Sequence, residues 1–323
     1  MTMKRDDLHR YLLQVLEKKI PEKTKLVEML IETLYMEKGA VYRRLRGEVP
    51  FSFFEVVNIA EKLDISLNNF IYTDSVQADR FELSIVEYAN MNGMDYKQWE
   101  DYITFIGLAK NDPHSEIAES SNALPISIFA KFDSLVKYHL FKYHYLLHES
   151  EGRVSFNDVV VPERLRQVFL SYFNESKNFA HTIYIWDYWI FRYLATDIQF
   201  FFAINLISPD DIELIRKDLF ALVDYVEAIT LAGCFKETGN SVSFYISDIN
   251  FDADYSYVQM NNVCMSHVRT FILNSVASTD QSSSGKMKNW IQSLKKSSTL
   301  ITQSGTVYRA DFFEKQRMII SEL

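Results

Sequence analysis

The sequence predicts a mainly α-helical protein, in which a small N-terminal helical domain precedes a larger helical module that carries a small antiparallel β element. Three observations lead there. The chain has 323 residues, 48% hydrophobic and 24% charged, which is globular in composition and long enough for two or three domains. Only 9 Gly and 6 Pro punctuate it, so long helices with few tight turns are expected. Its 24 Phe and 19 Tyr supply a bulky core.

The first element pair is the most informative. Apolar residues recur at helical spacing over residues 26–34 and 41–45, and Tyr35, Met36 and Glu37 leave room only for a tight turn between them. The second helix carries Lys38, Tyr42, Arg43, Arg44 and Arg46. Ser52-Phe53-Phe54-Glu55 has capping-box form and starts another helix that runs through Leu63. Asp64-Ile65-Ser66 then caps a short last helix over 67–71.

The spacing from Leu34 through Gly47 to Ala60 and Ser66 resembles the repressor-type helix-turn-helix of the lambda and 434 repressors. YRRLRGE followed by PFSFFE and ISLNNF is similar to N-terminal regulator domains common in Bacteroidetes. The resemblance covers about the first 72 residues, with Gly47 where that family ends its recognition helix. It implies a five-helix DNA-binding domain. Tyr35 stands where the family has its turn glycine, Ile31 replaces a small residue at the helix crossing, and Arg44 occupies the family's second buried position, with the apolar residue one place on at Leu45.

Charge bears on the same question independently. Residues 1–72 hold 12 Lys and Arg against 11 Asp and Glu, whereas the rest holds 22 against 32, for a net charge of −9 overall. A chain so acidic repels phosphates as a whole, so DNA binding requires a local basic face, dimerisation, or both. On a helical projection Val41 and Leu45 share one side, and Gly39, Tyr42, Arg43 and Arg46 lie opposite. Arg43 is the candidate for bidentate guanine readout, Lys38 and Arg46 for phosphate contacts, and Gly39 for close approach; Tyr42 and Arg44 complete the DNA-binding set. A solvated basic face on a protein-binding scaffold is the alternative reading.

Beyond residue 72, positions 73–125 read as linking helices and a loop. Helices are expected over 81–90 and 96–108, and the polar stretch 110–125 as a loop open to proteases. Residues 126–323 form the expected sensing or oligomerisation module. It has helices over 126–147, from Pro162 to Asn174, and from Pro209 to about Leu231, where acids sit at the positive helix end. Residues 184–207 read as one buried helix. They are long enough to span a bilayer, but Asp187, Arg192 and Asp197 would each cost roughly 2.5–3.5 kcal/mol there, so no membrane role is expected. β-branched and aromatic residues over 241–249, 255–260 and 263–273 predict the small antiparallel sheet near 241–276, the third segment being equally compatible with a helix. Residues 278–285 read as a flexible loop, 286–296 and 309–321 as terminal helices, and 299–308 as a strand or hairpin between them.

Catalytic chemistry finds little support. The sequence has no phosphate loop, no GxGxxG, no GxSxG, no HExxH and no CxxC, so neither an enzyme nor a cofactor is expected. His139, His144 and His148 have no acid at metal-binding spacing and read as histidines of a partly buried face. Cys234 and Cys264 read as free thiols, and with no apolar leader in view a reducing cytoplasm is expected. Asp187, Tyr188, Arg192 and Asp197 among the aromatics of 184–202 are candidates for a small-molecule or peptide effector pocket, and the same surfaces for a dimer interface. The functional expectation is therefore a cytoplasmic transcriptional regulator that binds double-stranded DNA as a homodimer.

Overall fold

The computed structural model describes residues 5–63, 65, 82–84, 96–147, 154–261, 263–270 and 273–323. Chain contacts divide it into two units, Met1–Ala78 and Asp79–Leu323.

In the first unit four helices are described: α1 (Arg5–Lys19), α2 (Lys23–Leu34), α3 (Lys38–Leu45) and α4 (Phe53–Leu63). The expected fifth helix, 67–71, lies outside the described residues. Leu12 and Leu16 of α1, Leu26, Val27 and Leu30 of α2, Val41 of α3, Phe51, and Ile59 of α4 form its core. Each helix contributes one stripe at a spacing of three or four, which makes α2 and α3 a pair joined by a tight turn. Tyr35 closes α2 in the left-handed region at φ 50° with its side chain 95% exposed. That conformation costs an L-residue roughly 1–2 kcal/mol relative to the right-handed one. Gly47, at φ +76°, turns the chain out of α3 without that penalty. Ser52 and Glu55 form the expected capping box, with Ser52 N donating to Glu55 Oε2 at 2.8 Å and Glu55 N donating to Ser52 Oγ at 3.3 Å.

The second unit overturns the expected fold class. It is an α/β structure around an eight-stranded mixed sheet, not a helical module with a small antiparallel β element. The strands are β1 (Glu82–Ser84), β2 (Glu116–Ser121), β3 (His181–Asp187), β4 (Ser241–Ser247), β5 (Tyr255–Met260), β6 (Val263–Thr270), β7 (Asn274–Ser278) and β8 (Ser298–Leu300), in the order β1-β7-β6-β5-β2-β3-β4-β8. β2, β3 and β4 run parallel, and the other pairs are antiparallel. The helices are α5 (Lys97–Gly107), α6 (Ile126–Phe129), α7 (Asp133–Leu147), α8 (Glu163–Glu175), α9 (Ile190–Ala203), α10 (Pro209–Ala232), α11 (Gln281–Leu294) and α12 (Thr306–Ser321).

Two misreadings account for the correction. The run read as one helix over 184–207 is a strand and a helix in succession, because a strand buried on both faces is apolar at every position and carries no two-residue alternation. The stretch 110–125, read as a loop from its polar residues, contains the central strand β2, whose Glu119, Ser120 and Ser121 are buried. Smaller differences follow the same logic. The expected helix 126–147 breaks between Phe129 and Asp133, Glu82–Ser84 is a strand within a predicted helix, and the serine-rich 278–285 opens α11, with the Asp280 carboxylate accepting from Ser283 N at 2.8 Å.

The chain steps from β2 to β3 to β4 in one direction, so right-handed crossovers place α6–α10 on a single face. Tyr184, Trp186, Val242, Phe244 and Ile246 point into that helical layer, where α12 also packs through Phe312, Phe313, Ile319 and Ile320. The opposite face has α11 over it. Ala118, Ile183, Ile185, Phe251 and Tyr257 meet Ile291, Met287 and Leu294 there. α10 starts on a capping box in which Asp211 N donates to Ser208 Oγ at 3.2 Å and Ser208 N donates to Asp211 Oδ2 at 2.9 Å, as its Pro-Asp-Asp start implied.

Amide hydrogen exchange checks the strand assignment. Residues 117–120 should exchange as slowly as 183–186, and limited proteolysis should leave 116–121 intact; fast exchange there would return the segment to a loop.

Candidate functional site

α3 presents its residues in two groups. Val41 is buried, while Lys38, Gly39, Arg43 and Arg46 are exposed and Tyr42 is half-buried against the core. A methyl group added at Gly39 would meet nothing within 4 Å, so the helix is open to close approach at that point. The two remaining arginines are engaged. Arg44 turns inward, its Nε donating to Glu55 Oε2 at 2.9 Å and its Nη2 to Glu55 Oε1 at 2.8 Å, with the two side chains only 16% and 14% exposed. It holds α3 onto α4, which removes it from the outward set expected for DNA binding. Burial alone would raise the Glu55 carboxyl, but hydrogen bonds from Arg44 and Ser52 outweigh it and hold the group below its ordinary value. Arg46 bonds Glu48 at 2.6 Å in the open, where solvent screens the pair.

The expected effector residues do not converge. Asp187 ends β3, buried, and accepts from Trp189 N at 2.7 Å; burial pushes its carboxyl up. Tyr188 reaches Asp311, Arg192 pairs with Glu322 at 3.1 Å, and Asp197 pairs with Lys142. Each has a separate partner, because Asp187 and Tyr188 leave the sheet edge while Arg192 and Asp197 ride on α9. His139 is a core residue stacked on Phe129 at 3.9 Å, its Nδ1 on Leu135 O at 2.8 Å, and burial lowers its pKa to about 3. Cys234 and Cys264 are both free thiols.

Polar side chains meet elsewhere, at the N-terminal ends of the parallel strands on the α11 face. Glu116 and His181 stand side by side in register, with Ser241 next across the sheet. His181 Nδ1 lies 3.3 Å from Glu116 Oε2, and its Nε2 lies 2.9 Å from Ser243 Oγ. Tyr257 donates to Glu116 Oε1 at 2.6 Å, and Lys288 of α11 contacts Glu116 Oε1 at 3.0 Å and donates to Gln259 Oε1 at 2.6 Å. Of these, Glu116, His181, Gln259 and Lys288 border a cleft of about 440 Å³, with Pro113, His114 and Ser241 among its other lining residues. The hydrogen bond from His181, followed by those from Tyr257 and Lys288, outweighs burial and lowers the Glu116 pKa to about 2. Glu116 is therefore ionised near neutrality and accepts from the imidazole at Nδ1, which turns Nε2 toward the Ser243 hydroxyl. The residues come from four strands and a helix, so no local spacing announced them.

Comparison with protein-family models, curated proteins and solved structures finds no match for this chain. No helix among the described residues is long and apolar enough to cross a membrane.

The Glu116 network makes stability depend on pH with a definite sign. A carboxyl whose folded pKa lies below its unfolded value stabilises the fold above about pH 4.5, and that contribution, on the order of 2 kcal/mol, is lost as pH falls toward 2. Urea unfolding of the wild type and Glu116→Gln at pH 7 and pH 3 should show a gap between them that shrinks at the lower pH.

Proposed function

We propose that the protein is a sequence-specific DNA-binding regulator in which α3 enters the major groove and a second copy supplies the other half-site contact. One observation carries the reading: α3 exposes Gly39 and Arg43 together on the side away from buried Val41, with Lys38 exposed in its first turn and open space over the glycine. A helix that is slim and cationic on its outer side suits a groove about 12 Å wide, where an arginine can pair with guanine O6 and N7. The resemblance of residues 1–72 to repressor-type domains points the same way.

Pairing of two copies finds its support in α9. Trp189, Tyr193 and Phe200 are 45%, 39% and 51% exposed, and with Thr196 and Ala203 they recur at intervals of four, three, four and three. That is the spacing of a seam that packs against another helix. A two-fold partner would let two α3 helices reach half-sites about 34–36 Å apart.

Selection of bound fragments from genomic DNA tests the reading directly. Arg43→Ala should then weaken binding to a selected site by about 1–3 kcal/mol, which is roughly five- to 150-fold, and wild-type affinity should fall steeply with salt. Gly39→Ala should leave the melting of the protein unchanged or slightly raised and still weaken DNA binding, because its methyl enters space a duplex would fill. Binding indifferent to salt and to both substitutions would favour a protein-interaction scaffold. In sedimentation without DNA, Tyr193→Glu with Phe200→Glu should convert a dimer to a monomer of unchanged helix content.

A further inference from the structure

We propose that Ser243, His181 and Glu116 form an acyl-transfer relay that hydrolyses small esters at the edge of the α11 cleft, an activity separate from DNA binding. The three side chains lie on one face of three adjacent parallel strands, in the order nucleophile, base and orienting carboxylate. The 2.9 Å contact between Ser243 Oγ and His181 Nε2 is within proton-transfer reach, and the 3.3 Å contact from Nδ1 to Glu116 settles the tautomer that transfer needs. Such a constellation is recognised by geometry and role, not by position in the sequence.

A network whose only task was to satisfy buried atoms would be closed over. Here the His181 side chain is 34% exposed, Ser243 is half-buried, and the cleft opens beside Glu116 and His181. Ser241, two residues before Ser243 on the same face, lines that cleft, which puts Ser243 one strand repeat beyond the lining, about 7 Å. Glu116 is itself held from the far side by Tyr257 and Lys288, so the carboxylate cannot swing away from the imidazole. A volume of about 440 Å³ matches a small acyl ester.

In the step, Ser243 Oγ attacks the ester carbonyl carbon while its proton passes to His181 Nε2. The carbonyl electron pair moves onto oxygen, then returns as the bond to the alkoxide breaks, and the imidazolium protonates that leaving group. Water attacks the acyl-serine, gives one proton to His181, and the imidazole returns it to Oγ. Ester and water become acid and alcohol, with no other reactant. Ser243 and His181 are the catalytic residues, and Glu116 is a positioning residue.

The test treats the full-length protein with a tagged fluorophosphonate and follows p-nitrophenyl acetate hydrolysis from pH 5 to 9. The expected result is label on Ser243 by peptide mapping, and turnover reduced at least a hundredfold by Ser243→Ala and by His181→Gln. Glu116→Gln should lower kcat and leave KM unchanged, since the carboxylate orients the imidazole and does not touch the ester. Absence of label on Ser243 in the wild-type protein overturns the proposal without reliance on any variant, as does turnover unchanged in a folded Ser243→Ala. Arg43→Ala protein should label like wild type, so failure here and failure of the DNA reading are separate results.

Discussion

The in-register start of three parallel strands governs the second unit. With Glu116 beside His181 and His181 beside Ser241, every later residue of β2, β3 and β4 is committed to one face or the other. Tyr184, Trp186 and Phe244 go to the helical layer, and Ile183, Ile185 and Tyr257 go to α11. A slip of one residue would send Glu116 into the large core and Trp186 toward a layer one helix thick. The steep cost of that exchange gives the sheet a single register, although β2 itself is a poor strand former by composition.

The two carboxylates of β2 show what the pleat does to chemistry. Glu116 and Glu119 are three residues apart and so face opposite ways. Glu119 lies in the helical layer, where burial raises its pKa although Ser127 donates to it at 2.6 Å and Tyr172 at 3.4 Å. Glu116 is partly open to solvent beside a lysine and an imidazole, and is pushed the other way. On the core face the same logic takes His139 to about 3 and His267 to about 4, both through burial. Burial thus disfavours the charged forms of Glu119, His139 and His267 on that side, and the α11 face keeps a charged network next to water. Register alone places the Glu116 network on the thin side of the sheet.

Legibility in the sequence follows from whether a signal is local. α2, α3, the Ser52–Glu55 cap and the Gly47 turn were readable because each depends on residues within a few positions of one another, as was the start of α10 at Pro209. β2 was hidden because its polar residues find their partners in the tertiary fold: Glu119 in Ser127 and Tyr172, Glu116 in His181, Tyr257 and Lys288. β3 merged with α9 because burial on both faces erases the period that separates a strand from a helix. Arg44 was included in the DNA-binding set because its partner Glu55 lies on the next helix, although the family's buried position falling on it already hinted that position 44 faces inward. The cleft had no local signature at all, since His181 is 65 residues from Glu116 and 62 from Ser243.

Arg44 also decides how much charge α3 can bring to a duplex. Of its four cations with Arg46, one is bonded bidentately to Glu55 between the helices and another is matched by Glu48 at 2.6 Å. Lys38 and Arg43 are then the principal contribution of the helix to phosphate or base contact. Each neutralised phosphate adds about one unit to the slope of log affinity against log salt, and a slope near two is that of a weak, non-specific binder at physiological ionic strength. Two copies held at a fixed separation double the slope and add their free energies, less the cost of holding the pair together. The inward turn of Arg44 thus links stability to assembly: the residue that clamps α3 to α4 is withdrawn from the outward face, and a DNA-binding role for so sparsely charged a helix depends on a second copy.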